Sequence, residues 1–371
     1  MTPMDRFDVA IAGSGPAGCA AALALLGGGA TALKVALIHR PPDPERYRIG
    51  ESATPSVSSL LERLGLPGDL RPLGHLPCHG NRAVWGGGAV TEQDYLVHAQ
   101  GHGWHLDRAA FDRWLLDQAR MRGAVAIEGG VTEVGSLPDG GWGLRLEGGR
   151  VLAATGLIDA TGRGSALATR LGAQRRRIDT LTALAQIHPA PDGHPLTHLS
   201  LIESHPLGWW YAAAIPGKRL LTAFMSDADL IHTHQLSHPE NLAVLIDETE
   251  ELRRMLPSDR GCAGEAVLAY PAHSGFADRV SGPGWIALGD AAIGMDPLTS
   301  SGINVALTDG IAGAQAMRQW LEGSDAGLRD HAQRLNGAVG RYLHERSHYY
   351  QQERRWAGEP FWTRRGISFA G

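Results

Sequence analysis

The feature that most constrains this chain is a glycine-rich turn between an apolar strand and an apolar helix near its N-terminus. The segment FDVAIAG, 7–13, is a short apolar run that ends in glycine, which is typical of a buried parallel strand. PAGCAAALALL follows with the composition of a helix, and LKVALIHR, 33–40, predicts a second strand. Strand–helix–strand units form adjacent parallel strands with a right-handed crossover. We therefore predict an α/β fold that contains a parallel sheet.

The turn has the spacing Gly-x-Gly-x-x-Gly, in which each glycine has a separate task. The first allows the tight turn, the second lets a pyrophosphate approach the backbone, and the third lets helix and strand pack closely. The helix N-terminus then presents free N–H groups to the phosphates. The motif predicts a dinucleotide-binding site that consists of Gly13, Ser14, Gly15, Pro16, Ala17 and Gly18.

The second strand ends in His39 and Arg40, where dinucleotide-binding folds usually place an acidic residue that binds the adenosine ribose. We expect His39 to form one hydrogen bond with the ribose and Arg40 to stack on the adenine, so that adenosine recognition is looser. The alternative is that both side chains are merely exposed at a strand end.

Composition excludes several classes of protein. The 371 residues are 43% hydrophobic, which predicts one large domain or two closely connected ones. The net charge of −5 comes without a long basic run, so nucleic acid is not an expected partner. Cys19, Cys78 and Cys262 are far apart, which fits a reducing compartment rather than disulfides or a zinc ribbon. Neither a signal-peptide pattern nor an apolar run long enough to span a membrane occurs, so we expect a cytoplasmic protein.

Two further glycine-marked segments follow: IDATGRGSALATRLGA, 158–173, and GDAAIGMDPLTSSGIN, 289–304. Between them, alternating and apolar runs from about 181 to 225 predict an antiparallel sheet. AVAIEGGVTEV, 124–134, predicts a strand pair joined by a turn. PENLAVLIDETEELRRML, 239–256, predicts one amphipathic helix.

The three glycine-marked segments, in this order, resemble those of the flavoprotein monooxygenase superfamily. The resemblance implies a Rossmann-type FAD-binding domain, p-hydroxybenzoate-hydroxylase-like, with an inserted antiparallel-sheet substrate domain. The expected boundaries are 1–80, 101–175 and 262–371 for the FAD domain, and 81–100 and 176–261 for the substrate domain. Beyond the first motif and the strand end, the expected FAD-binding residues are Glu51, Ser52, Arg108, Val131, Asp159, Gly162, Asp290, Pro297, Ser300, Ser301, Gly302, Ile303 and Asn304.

Two other stretches narrow the resemblance. RIGESATPSVSSLLERLGL, 48–66, is similar to a segment of tryptophan halogenases and of their non-halogenating relatives. The tail HYYQQERRWAGEPFWTRR, 348–365, resembles that of the flavoproteins that mature tryptophylquinone-containing amine oxidases and dehydrogenases. This resemblance implies hydroxylation of a tryptophan in a partner protein.

Departures from the halogenase pattern favour hydroxylation. Arg82 stands where the resemblance expects the halogenase lysine, Thr299 stands where it expects a glutamate, and no lysine occurs between Lys34 and Lys218. A guanidinium does not lose its proton to form a halogenated amine. We expect an FAD-dependent monooxygenase that hydroxylates an indole or tryptophan-like ring, free or within a peptide or protein, through a flavin C4a-hydroperoxide. Halogenation with atypical relay residues and a non-catalytic flavin-binding assembly role remain the alternatives.

The expected electron donor is NAD(P)H or free reduced flavin, the latter with a flavin reductase as a further partner. The catalytic residues stay unassigned, and the pocket candidates are Trp210, Tyr211, Thr299 and Arg82. Because alternate strand residues face opposite sides of a sheet, only one of Trp210 and Tyr211 is expected to line a pocket. The histidines of HAQGHGWH, His98, His102 and His105, have metal-like spacing, but no carboxylate lies near and no metal is expected.

Overall fold

The computed structural model describes residues 4–28, 32–43, 47–95, 101–138, 140–256 and 266–366, so His98 and Cys262 lie outside the described residues. The strands are β1 (Asp5–Ala12), β2 (Val35–His39), β3 (Ser52–Ala53), β4 (Leu76–Cys78), β5 (Gly80–Val84), β6 (Val90–Asp94), β7 (Gly103–His105), β8 (Val125–Glu128), β9 (Val131–Ser136), β10 (Trp142–Leu146), β11 (Val151–Asp159), β12 (Arg175–Arg177), β13 (Leu181–Pro189), β14 (Leu199–His205), β15 (Gly208–Ile215), β16 (Arg219–Asp227), β17 (Leu268–Pro271), β18 (Gly275–Ala277), β19 (Ser281–Gly282), β20 (Trp285–Ala287) and β21 (Ile293–Gly294). The helices are α1 (Pro16–Gly27), α2 (Ser56–Arg63), α3 (Arg108–Met121), α4 (Ala166–Arg170), α5 (Ala228–Thr233), α6 (Pro239–Asp247), α7 (Glu251–Met255), α8 (Gly302–Leu321), α9 (Ala326–Gln352) and α10 (Pro360–Thr363).

A parallel sheet forms the centre of the molecule, in the order β20–β11–β1–β2–β8. Residues of β1 alternate between its faces, as the pleat requires. Val9 and Ile11 pack with α1, α3 and α8 on one face, whereas Ala10 and Ala12 pack with β10, α4 and α9 on the other. Because both faces are covered, the strands are apolar throughout, which is the pattern that the sequence showed.

A second sheet has the order β17–β13–β16–β15–β14–β5–β6 and is antiparallel except where β14 pairs with β5. Helices α6 and α7 cover one of its faces through Leu242 and Leu252. The opposite face packs against aromatic side chains near the C-terminus, including Tyr350 and Phe361. This architecture, a parallel Rossmann-type sheet with an added antiparallel sheet, confirms the predicted fold class.

Two local predictions were wrong. The segment 124–134 does not fold back on itself, because β8 joins β2 in parallel while β9 pairs with β10. The predicted helix 239–256 is divided into α6 and α7. The buried carboxylate of Glu203 on β14 accepts hydrogen bonds from the N–H groups of residues 250, 251 and 252, so a second helix begins there.

The predicted domain boundaries stay a prediction. The antiparallel sheet includes β5 and β6, which lie in or next to the predicted substrate-domain segment 81–100, and β13 to β16, which lie in the segment 176–261. It also includes β17 at Leu268–Pro271, a few residues beyond the expected boundary.

Candidate functional site

A cleft of about 610 Å³ lies between the carboxyl edge of the parallel sheet and one face of the antiparallel sheet. β1, β11 and β20 are parallel neighbours, so their carboxyl ends meet at the same edge. Each strand leads into one of the glycine-marked segments, at Gly13, Gly162 and Asp290, and all three residues line the cleft. The fold therefore brings together segments that are separated by more than a hundred residues.

The glycines of the first motif have different surroundings. A Cβ on Gly13, whose φ is 107°, would lie 2.5 Å from the carbonyl carbon of Ala160. A Cβ on Gly18 would overlap the Gly13 carbonyl oxygen and lie 3.2 Å from the Ala160 Cβ. A Cβ on Gly15 would meet only the Arg48 Nη2, at 3.8 Å. Gly13 thus lets the first turn lie against the turn after β11, Gly18 lets α1 pack against the first turn, and Gly15 leaves open space beside an arginine.

Several arginines surround this opening. Arg48 lies 2.7 Å from the Asp112 carboxylate and keeps half of its side chain exposed. Arg108 donates to the carbonyl of Gly50 at 3.0 Å, yet its Nε is buried and has no partner among the described residues. Arg40 also lines the cleft, while Arg163 lies near Asp290. Each of these guanidinium groups is paired with the carboxylate of Glu147, Asp112 or Asp290, so four cations that already have partners surround the place where an anionic ligand would approach the backbone.

The third segment is held in place by arginines that the sequence analysis did not assign. Arg163 Nε lies 3.2 Å from the Asp290 carboxylate and Arg163 Nη2 donates to Met295 O at 2.7 Å. Arg175 donates to the carbonyl of Asp290 at 2.8 Å. The following turn includes Ser300 in the left-handed region, with a φ of 51°, before α8 begins. These contacts fix the turn at the cleft wall.

The predicted FAD-binding residues fall into two groups. Those that line the cleft are Gly13, Ser14, Gly15, Pro16, Ala17, Arg40, Glu51, Ser52, Arg108, Gly162, Asp290, Pro297, Ser300, Gly302 and Ile303. Those that do not are Gly18, His39, Val131, Asp159, Ser301 and Asn304.

Residues of the second group support the walls instead. Asp159 is fully buried and accepts hydrogen bonds from the N–H groups of Thr161, Leu167 and Ala168, which shapes the DATG turn. Asn304 donates to the Ser56 hydroxyl at 2.5 Å. His39 is 3.4 Å from an Arg120 nitrogen.

The pocket candidates are separated by the antiparallel sheet. Tyr211 lines the cleft, whereas Trp210 faces the opposite side and packs on Phe224. Arg82 lies on the helix-covered side, with its Nη1 2.6 Å from the Glu251 carboxylate. Thr299 is exposed, its hydroxyl is hydrogen-bonded to the Ser301 hydroxyl, and it does not line the cleft. Of the four candidates, the structure therefore places only Tyr211 in the cleft.

The wall that carries Tyr211 is otherwise apolar. Ala183, Trp209, Leu221, Ala223 and Met225 complete it. The Tyr211 hydroxyl is 2.6 Å from the Ser52 hydroxyl, and burial raises the pKa of Tyr211 well above its usual range. The phenol is therefore a neutral hydrogen-bonding group at the margin of an apolar chamber.

Both lysines of the chain lie away from the cleft. The Lys34 ammonium is 4.7 Å from the centroid of the Phe7 ring, near the start of β1. Lys218 is paired with Asp192 at 2.8 Å, and 70% of its side chain is exposed. Neither lysine amine is therefore positioned to reach a molecule in the cleft.

His102 and His105, the two described histidines of the HAQGHGWH segment, have different contacts. His105 is fully buried and lies 3.3 Å from the Ser200 hydroxyl, while His102 packs edge-on against Trp104. Within the described ranges, no group of three or more histidine, cysteine or acidic side chains is spaced to hold a metal ion. Among the helices of the described residues, none combines the length and the apolar composition that a membrane crossing requires.

Comparison with known proteins identifies the family. The profile described as Tryptophan halogenase matches residues 87–365. LodB of Marinomonas mediterranea, whose name assigns it provisionally to the FAD-dependent oxidoreductases, is 28% identical over 98% of this chain and 97% of its own length. A brominase of Pseudoalteromonas luteoviolacea that acts on 1H-pyrrole-2-carbonyl-[peptidyl-carrier protein] is 23% identical over 88% of this chain and 80% of its own length.

Solved structures agree with this result. QhpG, described as a peptidyl tryptophan dihydroxylase essential for tryptophylquinone cofactor biogenesis, is 27% identical, with a TM-score of 0.80 over 97% of this chain and 79% of its own. The myxobacterial chondrochloren halogenase CndH shares the fold, with a TM-score of 0.84 at 22% identity over 98% of this chain and 86% of its own.

The cleft has the features that FAD requires. The open side of Gly15 lies at the N-terminus of α1, where no side chain caps the helix. The unpartnered Nε of Arg108 and the half-exposed side chain of Arg48 would be the donors available to an anionic pyrophosphate. With a matching profile over three quarters of its length and a cleft suited to the cofactor, the chain belongs to the tryptophan halogenase family of flavin-dependent enzymes.

Proposed function

We propose that this chain is an FAD-dependent monooxygenase that hydroxylates the indole ring of a tryptophan within a peptide or partner protein. The observation that carries the proposal is the position of the two lysines, both outside the cleft. The cations that line it, Arg40, Arg48, Arg108 and Arg163, are guanidinium groups that stay protonated at neutral pH. A halogen relay through a lysine amine therefore has no residue to use.

Two relatives support the substrate class. QhpG, which is described as acting on a peptidyl tryptophan, is similar over nearly the whole chain. LodB matches across almost its full length, and its name places it provisionally among the FAD-dependent oxidoreductases. The similarity to a brominase supports the family and not the reaction, because a change of a few residues in a cleft is sufficient to change chemistry on one fold.

The side chains of the cleft suit a flat aromatic substrate. Trp209, Met225 and the alanines beside them form an apolar wall that binds the ring and excludes water. Reduced FAD supplies the electrons that activate dioxygen for transfer to the ring. The task of the protein is to hold the ring beside the cofactor, which is a positional contribution that needs no strong nucleophile.

We further propose that the electrons come from NAD(P)H or from free reduced flavin that a flavin reductase delivers, and that the protein acts in the cytoplasm. The cysteines far apart in sequence support a reducing compartment. Cys19 and Cys78 are buried free thiols among the described residues.

The test is a product analysis with the FAD-loaded enzyme, reduced FAD and dioxygen. The substrate is acetyl-Gly-Trp-Gly-amide, and the matched control replaces its tryptophan by phenylalanine. Each mixture is prepared with and without bromide, and with ¹⁸O-labelled dioxygen. We expect labelled oxygen in the tryptophan peptide in both mixtures.

A brominated peptide, or product that appears only with bromide, would assign the chain to the halogenases. Flavin that is oxidised without any modified peptide, under conditions where the peptide binds, would favour the assembly role.

A further inference from the structure

One buried carboxylate is held by hydrogen bonds, but by neither an arginine nor three backbone N–H groups. Among the buried acidic residues of the described ranges, each of the following accepts from an arginine or from at least three backbone N–H groups: Asp112, Asp159, Glu203, Asp227, Glu251, Asp296, Asp309 and Glu353. Glu51 is 3% exposed and accepts hydrogen bonds from the Gly50 N–H at 2.9 Å, from its own N–H and from the Tyr211 hydroxyl. No arginine, lysine or histidine of the described residues forms an ion pair with it.

A buried carboxylate that has no cationic partner is costly, so its retention needs a reason. Glu51 lines the cleft, at the junction between the glycine-marked edge and the apolar wall. The other polar groups at that junction are the Ser52 and Tyr211 hydroxyls, which are 2.6 Å apart. The carboxylate therefore adjoins the space that we assign to the substrate ring.

The charged and titratable groups around Glu51 come from three elements. Arg108 of α3 is the nearby cation, but its Nη groups are committed to Asp112 and to backbone carbonyls. Tyr211 of β15 hydrogen-bonds toward the carboxylate, and Tyr47 lies within electrostatic range of it. Burial outweighs these favourable contacts and raises the pKa of the Glu51 carboxyl.

We propose that Glu51 accepts the proton that the aromatic ring loses during hydroxylation, with the Tyr211 hydroxyl orienting its carboxylate. This role rests on the proposed function. It also gives a reason for the unpaired carboxylate: a cationic partner would neutralise the charge that the ring proton requires.

The step balances with the reactants already named. One oxygen atom of dioxygen forms a bond to a ring carbon, and the other leaves as water after two electrons arrive from reduced FAD. The C–H bond at that carbon then breaks, its electron pair restores the aromatic ring, and its proton passes to the Glu51 carboxylate. Solvent finally removes the proton from Glu51.

The sign of the pH dependence follows from the raised pKa. Only the ionised carboxylate accepts a proton, so turnover should rise with pH through a value above the ordinary range of glutamate. The contribution of Glu51 to the free energy of unfolding should change with pH in the opposite direction. A folded-state pKa above the unfolded value favours folding at low pH, and that advantage is lost as pH rises through the folded value.

Glu51→Gln tests both consequences. With acetyl-Gly-Trp-Gly-amide, reduced FAD and dioxygen, we expect turnover to fall by about 10²- to 10⁴-fold and the acidic limb of the pH profile to disappear. Turnover is expressed per bound FAD, measured by absorbance, so that a loss of cofactor is not counted as a loss of catalysis. In urea unfolding, the variant should be more stable than the wild type at pH 8 and similar at pH 5.

Glu203→Gln is the matched control, because Glu203 is equally buried but binds the start of α7 through backbone N–H groups. It should lose stability at both pH values and keep the shape of the pH profile. If the Glu51→Gln variant instead loses stability at pH 8, Glu51 is a structural carboxylate and the proposal is overturned.

The two proposals fail in different ways. A wild-type rate and pH profile for Glu51→Gln, in an enzyme that does hydroxylate the peptide, would overturn the role of Glu51 alone. Wild-type enzyme that forms no hydroxylated peptide would overturn the proposed function, and the role of Glu51 with it.

Discussion

Alanine substitutions at Gly15 and Gly18 should separate cofactor binding from folding within one motif. The Cβ of Gly15→Ala would point into open cleft, 3.8 Å from the nearest Arg48 nitrogen. Its backbone, with φ of −71° and ψ of −177°, is accessible to alanine. The Cβ of Gly18→Ala would instead overlap the Gly13 carbonyl oxygen between α1 and β1. We expect the first variant to lose FAD and the second to lose stability.

The magnitudes follow from these contacts. Gly18→Ala inserts a methyl group where the neighbour is backbone, which costs about 1–3 kcal/mol of unfolding free energy by overpacking. Gly15→Ala changes only the cap position of α1 and should cost at most about 1 kcal/mol. Its methyl group would hold the pyrophosphate away from the backbone. Loss of one charge-assisted hydrogen bond, about 1.5–3 kcal/mol, weakens FAD binding about 10- to 150-fold.

Both quantities can be measured on the same preparations. Flavin fluorescence quenching gives the FAD dissociation constant, and urea denaturation of the flavin-free protein gives the unfolding free energy. Serine at position 15 is a second variant with a side chain of similar size, and it should weaken FAD binding as well. Wild-type FAD affinity for Gly15→Ala, or a Gly18→Ala protein of unchanged stability that binds no FAD, would refute the assignment of roles.

Three other substitutions test the cleft and the cost of breaking buried and exposed ion pairs. Asp290→Ala removes the carboxylate that faces the cleft beside Arg163. FAD affinity should therefore fall by about one to two powers of ten in the same titration. An unchanged dissociation constant would limit Asp290 to a structural role. Arg365→Met should cost about 3 kcal/mol in urea denaturation, because it leaves the buried Asp227 carboxylate with weaker compensation. Lys218→Met breaks an exposed ion pair and should cost at most about 1 kcal/mol of unfolding free energy. Equal losses in Arg365→Met and Lys218→Met would contradict the argument that burial makes the first pair important.

The parts of the fold that could be predicted are those in which local pattern and final contact coincide. The strand–glycine–helix unit at 7–27 is recognisable because its turn, its helix and its buried strand are adjacent in sequence. The same holds for the antiparallel run from β13 to β16, whose neighbours in sequence pair with each other for β14–β15 and β15–β16. The wrongly predicted strand pair at 124–134 is an example of what local pattern cannot predict. β8 pairs with β2, some ninety residues earlier, and the residues around β8 do not indicate that partner.

The residues that line the cleft could be predicted only where they belong to a recognisable sequence motif. Arg48 and Arg163 were not assigned, although each lies within a quoted segment, because an arginine there is as easily a solvated side chain. The alternation of Trp210 and Tyr211 was predictable, but which of them faces the cleft depends on how the sheet is covered. The lack of an ion pair at Glu51 is likewise visible only when α3 and β15 are in place.

The choice between hydroxylation and halogenation depends on a part of the molecule that the glycine motifs do not define. The parallel sheet contributes backbone geometry that any FAD-binding relative needs, and it is neutral between the two reactions. Arg82 is also uninformative, because it lies between Glu92 and Glu251 on the far side of the antiparallel sheet. What discriminates is the chemistry of the whole cleft lining, which has guanidinium groups and one carboxylate without an ion pair, but neither of the two lysines of the chain. Such a lining lacks the amine that a halogen relay uses, and it retains a group that can take a proton from an aromatic ring.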